Sequence, residues 1–217
     1  MKKLKVIYVY DAHCSWCFAF STVIQKIQQK RSETLDFEVI SGGMVIGEQI
    51  GKLADRYPPE MLLGVYKRIT DMTGTIFGAD YLAKVKAGNV YINSEIPAIA
   101  LSVFKEKAPE KAVDFAHAIQ EQLFLQAKTV NDEALYQSLA IQFGLDSEAF
   151  LAEMKMEKYE QAARYDFALS RQLKVSGYPQ VLVQTDDSHF YLIAKGYTDF
   201  ASLDQRIEQV IQQLQGK

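Results

Sequence analysis

Two cysteines, Cys14 and Cys17, are the only ones in the chain, and they enclose Ser-Trp in a C-x-x-C motif. The motif follows an apolar run at 6–10 that is typical of a buried strand, and it precedes a helical apolar pattern at 20–27. Both thiols therefore lie at a predicted strand-to-helix junction. Because unpaired N–H groups and a partial positive charge at a helix N-terminus favour a thiolate, the pair is predicted to be redox-active.

Three other interpretations of the cysteine pair compete with redox chemistry. A structural zinc site needs four ligands, and His13, His117 and His189 have none of the usual spacings, so no metal is expected. A purely structural disulfide would close a loop too short to restrict the unfolded chain much. A pair of unreactive buried thiols stays open as an alternative, although the first cysteine of a helix usually stays near solvent.

Composition and charge narrow the class of protein. The chain has 217 residues, of which 48% are hydrophobic, and this indicates one compact molecule with a sizeable core. A net charge of −3 without a basic tract disfavours binding to nucleic acid. No segment approaches the roughly 20 apolar residues of a membrane span, and the start lacks a signal-peptide cleavage pattern. We expect a soluble cytoplasmic protein, where a cysteine pair is more often catalytic than structural.

Predicted elements at the two ends of the chain form two β-rich units. Near the N-terminus a strand, a helix and a strand make a βαβ unit, whose strands should be parallel. Near the C-terminus a hairpin with a polar turn leads, after Gly196, into an amphipathic helix capped by Thr198 or Asp199. The predicted ranges are 5–10, 14–31 and 36–41 for the first unit, and 180–184, 190–194 and the turn 185–188 for the hairpin.

The pattern between these units is helical from Met44 to about Leu173. The predicted helices are one opened by Pro59, 95–107 after an N-cap Ser94, one from Pro109 carrying Phe115, Ile119 and Leu123, 132–143 between Asn131 and Gly144, one from Asp146, and 155–173. Without the central helices the order is β-α-β followed by α-β-β-α, which is a thioredoxin arrangement. The predicted fold is therefore α/β, a thioredoxin fold interrupted by an all-helical insertion domain. The thioredoxin-like domain would comprise 1–43 and 155–217, and the insertion 44–154.

A second motif, Val175-Ser176-Gly177-Tyr178-Pro179, comes directly before the predicted strand at 180–184. A proline at the start of a strand can simply mark an edge strand or the exit of a loop. In a thioredoxin fold, however, this position faces the C-x-x-C motif. We therefore expect a cis peptide bond before Pro179, with the preceding backbone turned towards a substrate.

These motifs resemble the DsbA-like branch of the thioredoxin superfamily, in which a helical domain interrupts the thioredoxin fold. The sequence is most similar to the cytosolic protein-disulfide isomerases predicted in that branch, which share a C-[SG]-W-C-[YF] centre. The resemblance implies a protein-disulfide oxidoreductase or isomerase, with Cys14 as nucleophile, Cys17 as resolving thiol and Tyr178-Pro179 facing the substrate. It also implies protein or small-molecule disulfides and dithiols as partners, with thioredoxin or glutathione exchanging electrons and no bound cofactor. The segments that carry it are 10–18, 41–44, the helical block and 175–179.

Departures from the family concern the residues around the cysteines. Ser15 and Trp16 stand where the strongly oxidising members have Pro-His, so the reduction potential of those members cannot be assigned to this chain. We expect Ser15 to donate a weak hydrogen bond to the thiolate and Trp16 to offer an apolar contact surface. His13 either stabilises the thiolate when charged or is an exposed neutral ring. Asp11 is the nearest candidate for a proton acceptor, but a loop aspartate is more often a turn residue.

Two further functions stay open. One is glutathione-dependent chemistry of the kappa transferase and hydroxychromene carboxylate isomerase type, which shares the inserted-helix architecture. Those relatives usually carry a serine in place of the first cysteine, whereas this chain has both thiols. The other is a non-catalytic adaptor whose cysteines sense oxidants. Within the oxidoreductase interpretation, the direction of electron flow depends on the reduction potential against that of the compartment, not on the fold.

Overall fold

The computed structural model describes residues 3–186 and 188–215. Its strands are β1 (Leu4–Tyr10), β2 (Leu35–Ser41), β3 (Gly51–Lys52), β4 (Tyr91–Ile92), β5 (Gln180–Gln184) and β6 (Phe190–Lys195). Its helices are α1 (Ser15–Arg31), α2 (Pro59–Thr73), α3 (Ala79–Lys86), α4 (Glu95–Lys107), α5 (Ala112–Phe124), α6 (Glu133–Gln142), α7 (Ser147–Met154), α8 (Glu157–Gln172) and α9 (Phe200–Gln215).

The main sheet has the strand order β2-β1-β5-β6. Strands β1 and β2 are parallel, with Leu4 opposite Leu35, as the βαβ unit predicts. Strand β5 runs antiparallel to both β1 and β6, so the predicted C-terminal hairpin is confirmed. Its predicted turn at 185–188 includes Asp187, which lies outside the described residues.

The predicted fold class is confirmed, because helices α2–α7 come between β2 and α8 of a thioredoxin fold. The domain limits at 43/44 and 154/155 stay predictions. The central segment also contains a short antiparallel pair, β3 and β4, with Gly51 opposite Ile92, so the prediction of helix throughout 44–173 is wrong there. Two-residue strands are too short to produce the alternation by which strands are recognised.

Most predicted helix starts are confirmed within two residues. Asp146 caps α7 by accepting from the Ala149 N–H at 2.9 Å, and Asp199 caps α9 through the Ser202 N–H. The cap of α6 is Asp132 instead of Asn131, since both side chains suit the position and only one accepts from Ala134 N–H. Pro109 begins a 3-10 turn at Pro109–Lys111, and α5 starts after it.

One contact packs two central helices together, and a second joins the central helices to the main sheet. Phe104 of α4 and Phe115 of α5 stack within the hydrophobic core, with ring centroids 4.0 Å apart and planes inclined by 9°. Nearby, the Lys105 ammonium donates to the Val39 carbonyl of β2 at 3.0 Å and to the Asp166 carboxylate of α8 at 2.9 Å. That carboxylate also accepts from the Ser41 N–H at 3.1 Å, so the C-terminal end of β2 is bonded to α4 and α8.

Candidate functional site

Cys14 is the N-cap residue of α1, and its extended backbone turns the chain from β1 into the helix. Its Sγ accepts a hydrogen bond from the Cys17 N–H at 3.2 Å, one of the otherwise unpaired donors of the first turn. Both cysteines are free thiols. Cys14 is 8% exposed and Cys17 is fully buried, so Cys14 is the more exposed of the two, although it is less open than expected for the first cysteine of a helix.

The two thiols differ in their electrostatic environment. Burial, followed by the adjacent Cys14 sulfur, raises the pKa of Cys17 well above its ordinary value. Cys17 therefore stays protonated at neutral pH while the pair is reduced. Of the two sulfurs, Cys14 is the one that combines a cleft-lining position with the hydrogen-bond donor of a helix N-terminus.

The loop before β5 lies directly against Cys14. The Tyr178–Pro179 peptide bond is cis, as predicted. The Cys14 thiol donates to the Tyr178 carbonyl oxygen at 3.5 Å, so the loop and the C-x-x-C motif meet. On its other side the Tyr178 hydroxyl donates to the Gly42 carbonyl oxygen at 2.8 Å. A Cβ at Gly42 would collide with the Tyr178 ring, so this close approach requires glycine.

Asp11, which precedes the cysteines, is 2% exposed and accepts three hydrogen bonds through its carboxylate. One oxygen accepts from the His13 N–H at 3.0 Å and the Ser94 hydroxyl at 2.9 Å, and the other accepts from the Met44 N–H at 2.7 Å. The turn-residue interpretation of Asp11 therefore describes its contacts best. The carboxylate also bonds to two segments that the sequence did not place beside it.

A buried glutamine supports the same loop from behind. Gln120 is fully buried in α5, and its amide donates to the carbonyl oxygens of Asp11, at 3.1 Å, and Cys14, at 3.3 Å. Sequence reasoning missed this residue. The burial of Gln120 could have been predicted, because this residue follows Ala116 by four positions and so falls on the apolar face that packs into the core.

His13 and Ser15, the predicted modulating residues, are both partly exposed. His13 Nε2 lies 3.1 Å from both the backbone nitrogen and the carbonyl oxygen of Asn93, and burial lowers the pKa of this imidazole. The ring is therefore neutral at pH 7, which disfavours the predicted charged form. It is also less exposed than the other prediction, an exposed neutral ring, assumed. Ser15 makes no hydrogen bond to Cys14 Sγ, whose donor is the Cys17 N–H.

A cleft of about 560 Å³ opens beside Cys14. Trp16 and Tyr178 line it from the thioredoxin fold. The opposite wall comes from the central segment and is largely apolar; its side chains are Met44, Leu53, Tyr57, Leu62 and Tyr66. Sequence reasoning did not find this wall, since an apolar residue lining a cleft has the same pattern as one in the core.

Two features are absent from residues 3–186 and 188–215. Within these ranges, no group of three His, Cys, Asp or Glu side chains is arranged to hold a metal ion. Across the same residues, no helix combines the length and apolarity that crossing a membrane requires.

Comparison with known protein families gives one match that spans nearly the whole chain. The profile of the DSBA-like thioredoxin domain matches residues 5–208. Among curated proteins, the ClpXP adapter protein SpxH of Halalkalibacterium halodurans is 25% identical over 191 residues, which are 86% of this chain and 61% of that protein. The chain spans 57% to 61% of the length of the curated relatives it matches.

Solved structures agree with the family match. A Nitrosomonas europaea protein, provisionally assigned as a protein disulfide isomerase, superposes with a TM-score of 0.83 at 24% identity, covering 98% of this chain and 99% of that one. The cytosolic disulfide reductase DsbM from Pseudomonas aeruginosa superposes with a TM-score of 0.74 at 20% identity, covering 99% and 100%. DsbM is also known in a structure with GSH.

Proposed function

Because the chain belongs to the DSBA-like thioredoxin domain family, we propose that it is a thiol–disulfide oxidoreductase in which Cys14 attacks and Cys17 resolves. One observation carries the proposal: Cys14 Sγ sits at the N-terminus of α1, lines an open cleft and lies 3.5 Å from the Tyr178 carbonyl oxygen. Cys17 lies one helical turn further on, with its N–H 3.2 Å from the same sulfur. A nucleophile, a resolving thiol and a backbone acceptor for substrate are thus adjacent.

In the first step, the Cys14 thiolate attacks one sulfur of a substrate disulfide. A bond forms between Cys14 and that sulfur, the substrate S–S bond breaks, and the other substrate sulfur leaves as a thiolate. The Cys17 N–H stabilises the attacking anion, since it donates to Cys14 Sγ in the resting state. Trp16 and the apolar wall of the cleft contact the substrate around the reacting sulfur.

In the second step, Cys17 attacks Cys14 Sγ, and its proton passes to the substrate thiolate released in the first step. The mixed disulfide breaks, the substrate leaves as a thiolate, and a Cys14–Cys17 disulfide forms. Because burial raises the pKa of Cys17, this thiol does not compete for the substrate in the first step. Two thiols of a reductant then restore the pair, and their own sulfurs become a disulfide.

We propose protein or peptide disulfides as substrates and glutathione or thioredoxin as the reductant. The apolar wall of the cleft favours a polypeptide over a highly charged small molecule. Glutathione is supported by the structure of DsbM with GSH. DsbM is named a cytosolic disulfide reductase, and this supports a cytoplasmic location for the chain and reduction of its disulfide substrates.

Trapping with single-cysteine variants tests the roles of the two sulfurs. Cys17→Ser should keep alkylation at Cys14 and accumulate mixed disulfides, because the resolving thiol is gone. Cys14→Ser should lose both activity and trapping, since the remaining thiol is fully buried. Non-reducing gels and mass spectrometry of lysates from expressing cells provide the readout. Trapping by Cys14→Ser alone would reverse the roles, and trapping by neither variant would contradict the mechanism.

An adaptor is the second candidate function, and the curated relatives named ClpXP adapter protein SpxH favour it. In this case the chain would bind a protein partner and its cysteines would only sense oxidants. An insulin-reduction assay run beside a glutathione-transferase assay separates the candidates. Insulin reduction supports the oxidoreductase, conjugation alone would favour the kappa-type alternative, and inactivity in both would favour the adaptor.

A further inference from the structure

The Asp11 carboxylate joins three segments that are far apart in the sequence. It accepts from the N–H of His13 in its own loop, from the N–H of Met44 after β2, and from the hydroxyl of Ser94 before α4. Ser94 in turn accepts from the Val45 N–H at 3.0 Å, so its hydroxyl is bonded on both sides. This explains why the Ser94 side chain, predicted to cap α4, makes no capping hydrogen bond to that helix; the Glu95 N–H donates to the Asn93 side chain instead, at 2.8 Å.

The segment 42–44 connects this carboxylate to the substrate-facing loop. Its first residue donates to the Tyr10 carbonyl at 2.7 Å and accepts from the Tyr178 hydroxyl at 2.8 Å. Its last residue, Met44, donates to Asp11 and lines the cleft. The positions of Met44 and Tyr178 relative to Cys14 therefore share one support, a three-residue segment bonded to Asp11 at one end and to Tyr178 at the other.

We infer that Asp11 is a positioning residue for the exchange reaction, holding segment 42–44 so that Met44 and Tyr178 form the substrate-docking surface beside Cys14. This inference rests on the proposed function. Both carboxylate oxygens of Asp11 already accept hydrogen bonds, which suits a fixed structural acceptor more than a group that exchanges protons with Cys17. Its effect should therefore be on substrate binding, with little change in the chemical step.

Asp11→Asn is the most direct perturbation because it preserves the size of the side chain. An amide has one acceptor oxygen, whereas the two carboxylate oxygens face two backbone N–H donors, those of His13 and Met44. Whichever way the amide is turned, its NH₂ group must face one of these donors. All three hydrogen bonds are charge-assisted, and the bond to Met44 is the shortest at 2.7 Å; even an amide oxygen that faces the Met44 N–H accepts a weaker bond than the carboxylate does.

Hydrogen exchange and steady-state kinetics on the full chain test the inference together. In Asp11→Asn, the exchange rate of the Met44 amide, followed by NMR, should rise about tenfold or more, because its charge-assisted hydrogen bond is lost or replaced by a weaker one to a neutral amide oxygen. With a peptide disulfide as substrate, KM should rise by about tenfold while kcat stays within about twofold, the pattern of lost docking. Asp80→Asn, at an exposed aspartate in α3, is the matched control and should change neither quantity.

The outcomes separate this inference from the proposed function. Unchanged exchange at Met44 would overturn the inference, and so would faster exchange with unchanged KM or a loss confined to kcat. If the wild-type protein reduces no disulfide, the proposed function fails and so does the docking role, while exchange at Met44 still reports whether Asp11 holds the segment. If Asp11→Asn does not fold, Ser94→Ala removes one donor and should raise exchange at Val45 and KM by a smaller factor. Unchanged values in Ser94→Ala would then count against the inference.

Discussion

Replacing Lys105 by Met should destabilise the protein because it leaves the Asp166 carboxylate without its cation. Asp166 is 5% exposed and lies among α4, α8 and the end of β2, so its carboxylate has little contact with water. The Lys105 side chain also gives up its hydrogen bond to Val39, whereas methionine preserves most of the apolar stem. The substitution therefore isolates the charge and its hydrogen bonds from packing.

The magnitude follows from the degree of burial. Removing one partner of a fully buried ion pair costs about 3–5 kcal/mol. The Lys105 side chain is still 22% exposed, and Asp166 retains the Ser41 N–H as a donor, so we expect a loss of about 2–4 kcal/mol at pH 7. Lys67→Met removes an exposed partner of Asp71 and should cost less than about 1 kcal/mol.

The loss of stability in Lys105→Met should also depend on pH. Burial raises the pKa of Asp166 and Lys105 opposes this shift, so removing the lysine raises the pKa further. In the folded variant the Asp166 carboxyl therefore keeps its proton to a higher pH than it does in the unfolded chain. Between the unfolded and folded pKa values, the free energy of unfolding of the variant falls as pH rises. The difference between wild type and Lys105→Met should therefore shrink from pH 7 to pH 5.

Urea denaturation at both pH values, followed by circular dichroism, measures these differences. The double variant Lys105→Met with Asp166→Leu should be less destabilised than the sum of the single variants, because the uncompensated charge is gone. A loss below about 1 kcal/mol at pH 7, or one of equal size at pH 5, would refute the assignment of this pair as a buried charge contact.

Three further predictions concern the core, the histidine and the glycine contact. Phe115→Ala should lower the free energy of unfolding by about 3–5 kcal/mol in urea, since the ring stacks on Phe104; a loss under about 1 kcal/mol would contradict the packing. Burial lowers the pKa of His13, so the folded protein binds a proton there less readily than the unfolded chain and loses stability as pH falls below about 6.5. His13→Ala should reduce the fall in melting temperature between pH 7 and pH 5, and an unchanged fall would show that the ring is not buried. Gly42→Ala should lower kcat/KM for disulfide reduction by about tenfold or more, because its Cβ displaces Tyr178; wild-type kinetics would show that Tyr178 can move without cost.

Local patterns in the sequence were sufficient to predict the helices and strands in which the pattern repeats over several turns or several residues. The βαβ unit and the hairpin were predicted, because alternation and helical spacing reflect which faces are buried. The position of Tyr178-Pro179 opposite the cysteines was predicted from the thioredoxin arrangement that these elements resemble. The eight-residue helix α3 lies in the segment predicted to be helical, but its bounds were not predicted, because its N-cap is Gly78 and not one of the Ser, Asn or Asp residues that marked other helix starts.

Contacts between distant segments could not be predicted in the same way. Ser94 lies 83 residues from Asp11, and its type equally suits a helix cap, so nothing local indicates the bond between them. The partial burial of His13 depends on Asn93, 80 residues away. The cysteines were found because their spacing alone implies chemistry, whereas their supporting residues are defined only by the tertiary fold.

The order of synthesis gives the contact between Cys14 and Tyr178 a further consequence. The two residues are 164 positions apart, so a ribosome adding roughly 5–20 residues per second makes the thiol about 8–33 s before the loop that covers it. During that interval β1 also lacks β5, its antiparallel neighbour in the sheet. The nascent chain thus carries both cysteines on an unfinished sheet, where oxidants and other nascent thiols can reach them before the docking surface exists.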